Sequence, residues 1–203
     1  FHAFINEGSS EIIHLPLLIR PIHLSRYFNS PINKIIKIFD NHWKVKSSSL
    51  DMIEEFNGNF QHFEKLLQKI SKRVSIIQNR NKEYLKWRYL DHPTRKYQIF
   101  ILKQNDELVG YIILRIHTIN NKKIGVILDY IVDSEANEKS LQKLIEKALD
   151  YFWKHEVSIS IVTSRSGLLE NKLLKKTGFF QAPFFLKPES LHFIVRLFSS
   201  DKK

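Results

Sequence analysis

The chain of 203 residues contains no cysteine, which excludes disulfide scaffolds and thiol-ligated zinc and gives no support to an oxidising compartment. No apolar run approaches the roughly 18 residues that a membrane span needs. The longest, around Val126–Val132, is broken by Asp129. No signal peptide is visible, so a cytoplasmic protein is expected. Methionine is almost missing: Met52 is the sole one, and the chain opens Phe1-His2-Ala3, so it reads as a fragment or a processed form. Apolar residues are not scarce. At 43% they suffice for a substantial core, and disorder is not the default reading.

Charge is unbalanced, with 32 Lys plus Arg against 21 Asp plus Glu and a net charge of +11. That excess suits an acidic partner such as nucleic acid, a membrane surface or a phosphorylated cofactor. It equally suits a lysine-rich solvated surface, because the basic residues spread along the whole chain. They do not gather with aromatics into one stripe, which argues against nucleic acid as the partner.

Residues 1–48 differ from the rest. Glu11–Arg20 is an apolar run ending in Arg20-Pro21 and predicts one strand; Ile32–Phe39 is a short amphipathic segment; Lys44–Ser49 is a Lys/Ser linker. One strand and one helix cannot bury a core, so this part reads as the tail of a preceding domain or an extension packed on the main one. From residue 49 onward the pattern predicts a single α/β domain, 49–203. Leu50–Phe56 predicts a strand, Asn59–Val74 and Asn81–Leu90 two helices, and Tyr97–Lys103, Leu108–Thr118 and Lys123–Asp133 a three-strand meander turning at Gln104–Glu107 and Asn120-Asn121. Leu141, Leu144, Ile145, Ala148, Leu149 and Phe152 then mark a helix over Glu138–His155. Val157–Thr163 predicts a strand, Leu168–Lys176 a helix ended by Gly178, and Phe179–Leu186 and Leu191–Phe198 two more strands. The order is β-α-α-β-β-β-α-β-α-β-β.

That order, with Val109-Gly110-Tyr111 on the second meander strand, Ile131-Val132-Asp133 ending the third and Lys176-Thr177-Gly178-Phe179 closing the last helix, resembles the GNAT N-acetyltransferase superfamily. Tyr84-Leu85, Trp87-Arg88-Tyr89, His92-Pro93 and Tyr97 further resemble a branch found with bacterial surface-polysaccharide synthesis, whose members often carry two GNAT-like halves in tandem. The resemblance implies a mixed, mostly antiparallel sheet flanked by helices. It also implies an acyl-CoA co-substrate (acetyl-CoA or another), a small amine or amino-sugar acceptor, and a first half of the same protein as partner. A pantetheine arm would add along Ile131 and Val132, with its pyrophosphate on the amides of Asn137, Glu138, Lys139 and Ser140. The glycines of the family's phosphate loop are absent there, and Glu138 sets a negative charge near a negative ligand, a repulsion of about 4 kcal/mol at 4 Å and moderate dielectric.

Acyl transfer needs a base for the amine and an acid for the thiolate. Leu128-Asp129-Tyr130-Ile131-Val132-Asp133 is similar to a stretch of amino-sugar acetyltransferases in which the carboxylate is the base, which points to Asp129. A carboxylate in a core strand is costly unless paired, so a salt bridge to Arg88 or Arg115 is the alternative. The family's acid, a tyrosine on the last helix, falls at Leu174, which cannot donate a proton, so the thiolate leaves unassisted or takes a proton from Tyr130. Trp87 and Arg88 read either as acceptor-binding residues, since Arg pairs with carboxylates and aromatics stack on sugars, or as anchors of a helix. His117 and His155 have no partner at metal-ligand spacing, so no metal is expected. No Ser-His-Asp order, phosphate-binding loop or dinucleotide glycine set is present.

Overall fold

Alternating apolar residues in the centre of the chain build a sheet that is covered on both faces. The computed structural model describes residues 10–23, 52–60, 62–72, 80–133, 138–164, 168–183 and 191–195. The segments expected over Ile32–Phe39 and Lys44–Ser49 lie outside them. The strands are β1 (Ser10–Leu15), β2 (Leu17–Pro21), β3 (Ile53–Glu55), β4 (Gln98–Gln104), β5 (Glu107–Ile119), β6 (Lys122–Val132), β7 (Ile159–Thr163), β8 (Phe180–Gln181) and β9 (Leu191–Val195). The helices are α1 (Phe63–Ser71), α2 (Lys82–Leu85, continuing as a π-helical turn over Lys86–Leu90), α3 (Glu138–Lys154) and α4 (Leu169–Lys176).

Seven strands form the main sheet in the order β3-β4-β5-β6-β7-β2-β8, antiparallel except for the β6–β7 pair. The meander is closed by two tight turns, Asn105-Asp106 and Asn120-Asn121, all four residues at positive φ as two-residue hairpin loops require. On one face α3 buries Leu141, Leu144, Ile145, Ala148, Leu149 and Phe152, the stripe expected from the sequence, against Phe100, Ile112, Leu114 and Ile127. On the other, Phe60, Phe63, Leu66, Leu85 and Tyr89 cover Ile99, Ile101, Tyr111 and Ile113. Gly125 makes close packing possible, because a Cβ there would lie 2.8 Å from the Phe152 ring. Gly178 ends α4 at φ +93°, with Phe179 N–H bonded to Leu174 O and Gly178 N–H to Lys175 O, the paired bonds of a Schellman motif.

The single strand expected over Glu11–Arg20 is two. Pro16 interrupts it, since proline has no N–H to give to a ladder. β1 pairs with β9 in a separate two-stranded sheet, while β2 enters the main sheet between β7 and β8. Arg20 on β2 is 5% exposed and donates its Nε–H to Thr177 O at 2.6 Å, capping the carbonyl end of α4. Burial lowers its pKa to about 10. The helix expected over Asn81–Leu90 begins as foreseen, with the Asn81 side chain accepting from Tyr84 N–H at 3.0 Å, but its second half is π-helical, closed by an Asp91 N–H to Lys86 O bond of 2.8 Å.

Candidate functional site

Two parallel strands part in the middle of the sheet. β6 and β7 are paired only from Ile124–Ile127 to Ile159–Val162. Beyond that, β6 stays bonded to β5, through Val132 opposite Gly110 and Asp133 N–H to Val109 O at 2.7 Å. β7 instead follows β2, through Thr163 opposite Leu17 and Ser164 N–H to Pro16 O at 3.4 Å. Among the described residues, the edge of β6 over Leu128–Val132 therefore has no strand partner on the β7 side.

A bulge decides what that edge presents. Ile113 lies opposite Asp129 and Leu114 opposite Ile127, so Leu128 is an extra residue in β6. A strand alternates faces with period two, and one inserted residue inverts the alternation after it. Without it, Asp129 would share the α3 face with Ile127. With it, Asp129 and Ile131 turn to the α1/α2 face, while Tyr130 and Val132 pack against the α3/α4 core. The two candidate catalytic side chains thus stand on opposite faces of one exposed edge.

Asp129 is held by Arg80, whose Nε–H donates to Oδ2 at 2.7 Å and whose Nη2–H donates to Oδ1 at 3.1 Å. The Tyr111 hydroxyl adds a longer bond to Oδ2, at 3.4 Å. The salt bridge expected as the alternative role of Asp129 exists, but its partner is Arg80 and neither Arg88 nor Arg115. Arg115 extends instead to His117, Nη2 to Nδ1 at 3.3 Å, and Arg88 to Tyr89. Tyr111 reaches Asp129 diagonally: its strand neighbour is Ile131, two residues on along the same face. A carboxylate offers about four lone-pair sites, and these contacts occupy three of them.

Tyr89 closes the group from α2. It is 5% exposed, and its phenol is pushed up to about 12, first by burial and then by the Asp129 charge. Arg88 opposes that shift, its Nε–H donating to the Tyr89 hydroxyl at 3.3 Å. The Tyr111 phenol is raised further, again chiefly by burial. On the other face burial raises the Tyr130 phenol to about 12; the Ser164 hydroxyl beside it opposes, and the Glu170 charge adds to the rise. Tyr130 is therefore protonated at neutral pH. Leu174, where the sequence resemblance would put a tyrosine, is 1% exposed in the α3/α4 core.

Of the residues expected on the cofactor side, Ile131 and Val132 lie on the parted edge, and Glu138, Lys139 and Ser140 form the first turn of α3. Glu138 and Lys139 are exposed. Ser140 faces inward, 2% exposed, and accepts from Gln104 Nε2–H at 3.2 Å. Asn137 lies outside the described residues. Trp87 is 67% exposed rather than a core anchor. Arg80 and Tyr111 escaped the sequence reading. Arg80 is one more basic residue among many, while Tyr111 carried a legible signal, sitting on the second meander strand with its face set by alternation. Among the described residues no three His, Asp or Glu side chains gather as metal ligands, and no helix is long and apolar enough to cross a membrane.

No protein-family model and no curated protein matches the sequence. Solved structures do match the fold. Saccharomyces cerevisiae N-myristoyltransferase with bound myristoyl-CoA aligns with a TM-score of 0.63 at 14% identity, over 86% of this chain and 49% of that one. A GCN5-related N-acetyltransferase from Anabaena variabilis aligns at 0.56 and 12% identity, over 95% of this chain and 42% of that one. An aminoglycoside acetyltransferase from an uncultured soil metagenomic sample, solved with trehalose, gives 0.52 and 16% identity, over 71% and 95%. The chain has the GNAT fold. It spans about half the length of the N-myristoyltransferase it matches.

Proposed function

We propose that the chain is an acyl-CoA-dependent N-acyltransferase acting on a small amine, with an amino sugar of a surface polysaccharide as the acceptor class. The observation that carries this reading is the edge of β6 over Leu128–Val132, which no strand among the described residues pairs on the β7 side, opened where β7 turns away with β2. Its backbone N–H and C=O groups can take an extended amide-bearing arm as an added strand. The co-substrate supplies the activated acyl group. On this chain, Asp129 has one acceptor site left for the N–H of an incoming amine and takes its proton, directly or through water. Amides of the same edge donate to the thioester carbonyl oxygen as charge develops on it. The Tyr130 phenol, protonated on the opposite face, gives a proton to the departing thiolate. Trp87 and Arg88 bind the acceptor. The same reading takes a first GNAT-like half as the partner of this one, with residues 1–48 as its end or as an extension of the present domain.

A second reading, a GNAT-like module that binds or scaffolds without catalysis, is favoured by one observation: Arg80 engages both oxygens of the only carboxylate placed as a base on the parted edge. Thermal unfolding with increasing acetyl-CoA and myristoyl-CoA separates the two. A working site stabilises by RT ln(1 + [L]/Kd), about 2.7 kcal/mol at a hundredfold excess over Kd. No shift with either donor refutes the enzyme reading. Where transfer is found, Asp129→Asn lowers kcat with little effect on donor affinity, and unchanged turnover removes Asp129 from the mechanism.

A further inference from the structure

Arg88 differs from the other arginine at this site. Its guanidinium lies over two rings, 5.9 Å from the centroid of Tyr84 and 5.6 Å from that of Tyr89, and its Nε–H is bonded to the Tyr89 hydroxyl. An exposed arginine normally loses rotamer freedom when it is fixed. Here stacking and one hydrogen bond fix it in advance. Only one of its five N–H groups is used by that bond, and no carboxylate among the described residues pairs with it. Arg80, by contrast, has its fork filled by Asp129.

The backbone explains how it is presented. In the π-helical turn Lys86–Leu90, Tyr89 points into the core while Trp87 and Arg88 face solvent. Such wide turns recur at functional sites. Trp87 stands beside Tyr84, ring centroids 6.1 Å apart, and is itself exposed. The Tyr89 hydroxyl accepts from Arg88, and Tyr89 belongs to the same packed cluster as Tyr111, whose hydroxyl donates to Asp129. An ordered cationic fork and the carboxylate with a spare acceptor site thus belong to the same face of the sheet.

We propose that Arg88 is the receptor for an oxyanion, a carboxylate or a phosphate, carried by the amine acceptor itself. The acceptor is then a zwitterion, its amine toward Asp129 and its oxyanion on the terminal nitrogens of Arg88, with an apolar face against Trp87. This rests on the acceptor side of the function proposed above, but its test is binding and does not need turnover.

The experiment titrates the full chain with glucosamine, its phosphate monoester at the primary hydroxyl, and the matching uronic acid, followed by calorimetry or ligand-observed NMR. A charge-assisted bidentate bond of about 1.5–3 kcal/mol predicts that at least one anionic sugar binds about tenfold or more tighter than the neutral one. Which of the two gains identifies phosphate or carboxylate as the preferred group. Arg88→Gln, on an exposed side chain, abolishes the preference while the variant keeps the cooperative unfolding transition of a folded chain. Lys82→Gln, an equal loss of charge on the same helix, keeps it. Equal affinity for all three sugars, no binding of either anionic one, or a preference that survives Arg88→Gln overturns the proposal. Acetyl transfer without an anion preference refutes this inference and leaves the enzyme reading standing; an Arg88-dependent preference without transfer does the reverse.

Discussion

Replacing Arg80 with methionine leaves the Asp129 carboxylate with the Tyr111 hydroxyl as its one partner. The pair is bidentate and mostly buried, its side chains 18% and 11% exposed. Exposed pairs contribute about 0–1 kcal/mol, whereas removing one partner of a buried pair costs about 3–5 kcal/mol because the other charge stays behind. This pair lies between those limits, since some solvent reaches both groups, and Arg80→Met is expected to cost about 2–3 kcal/mol. Asp129→Asn leaves a guanidinium that still has a carbonyl to donate to, and costs less, about 1–2 kcal/mol. Because each single variant breaks the same contact, the double variant loses less than the sum, with a coupling of about 1–2 kcal/mol. Urea unfolding of the four proteins, with linear extrapolation and unchanged m-values, measures it. A coupling below about 0.5 kcal/mol, as for independent sites, refutes the reasoning, for then the ion pair is not what ties the segment before α2 to β6.

Leu174→Tyr, which puts a tyrosine on the last helix, does not create a proton donor. The site is 1% exposed in a packed core, so the larger ring costs about 1–3 kcal/mol and lowers Tm; a gain in transfer without loss of stability refutes that. The Tyr89 and Tyr130 phenols titrate near 12 in the folded chain against 10.0 for an unperturbed phenol. A raised folded value means that their contribution is complete below pH about 10 and is lost as pH rises toward 12. Tyrosinate absorbance near 295 nm at pH 11 should therefore be lower in the native protein than in urea. Equal absorbance refutes their burial.

Much of the fold was legible because it depends on local periodicity. The stripe from Leu141 to Phe152 could only be a helix face, and the meander strands and their Asn-rich turns followed from alternation and left-handed turn chemistry. Gly178 could be assigned to a helix end because few other residues tolerate φ near +93°. Pro16 was visible but its consequence was not: the strand it divides serves two different sheets, a matter of long-range pairing. At the site, Asp129 stood out as a charge among apolar neighbours, yet its partner could not be read, because Arg80 is 49 residues away in sequence.

Composition and periodicity by themselves determined an α/β chain with two helices before a meander and a crossover helix after it, along with the residues that fill its core. The tertiary structure alone decided that β6 and β7 separate after Ile127, that an inserted Leu128 turns Asp129 to one face and Tyr130 to the other, and that Arg80 reaches the carboxylate. The physical reason is that helix and strand periods are properties of adjacent residues. Register, bulges and ion pairs are settled by which distant backbones win each hydrogen bond, and here β7 bonds to β2 while β6 bonds to β5.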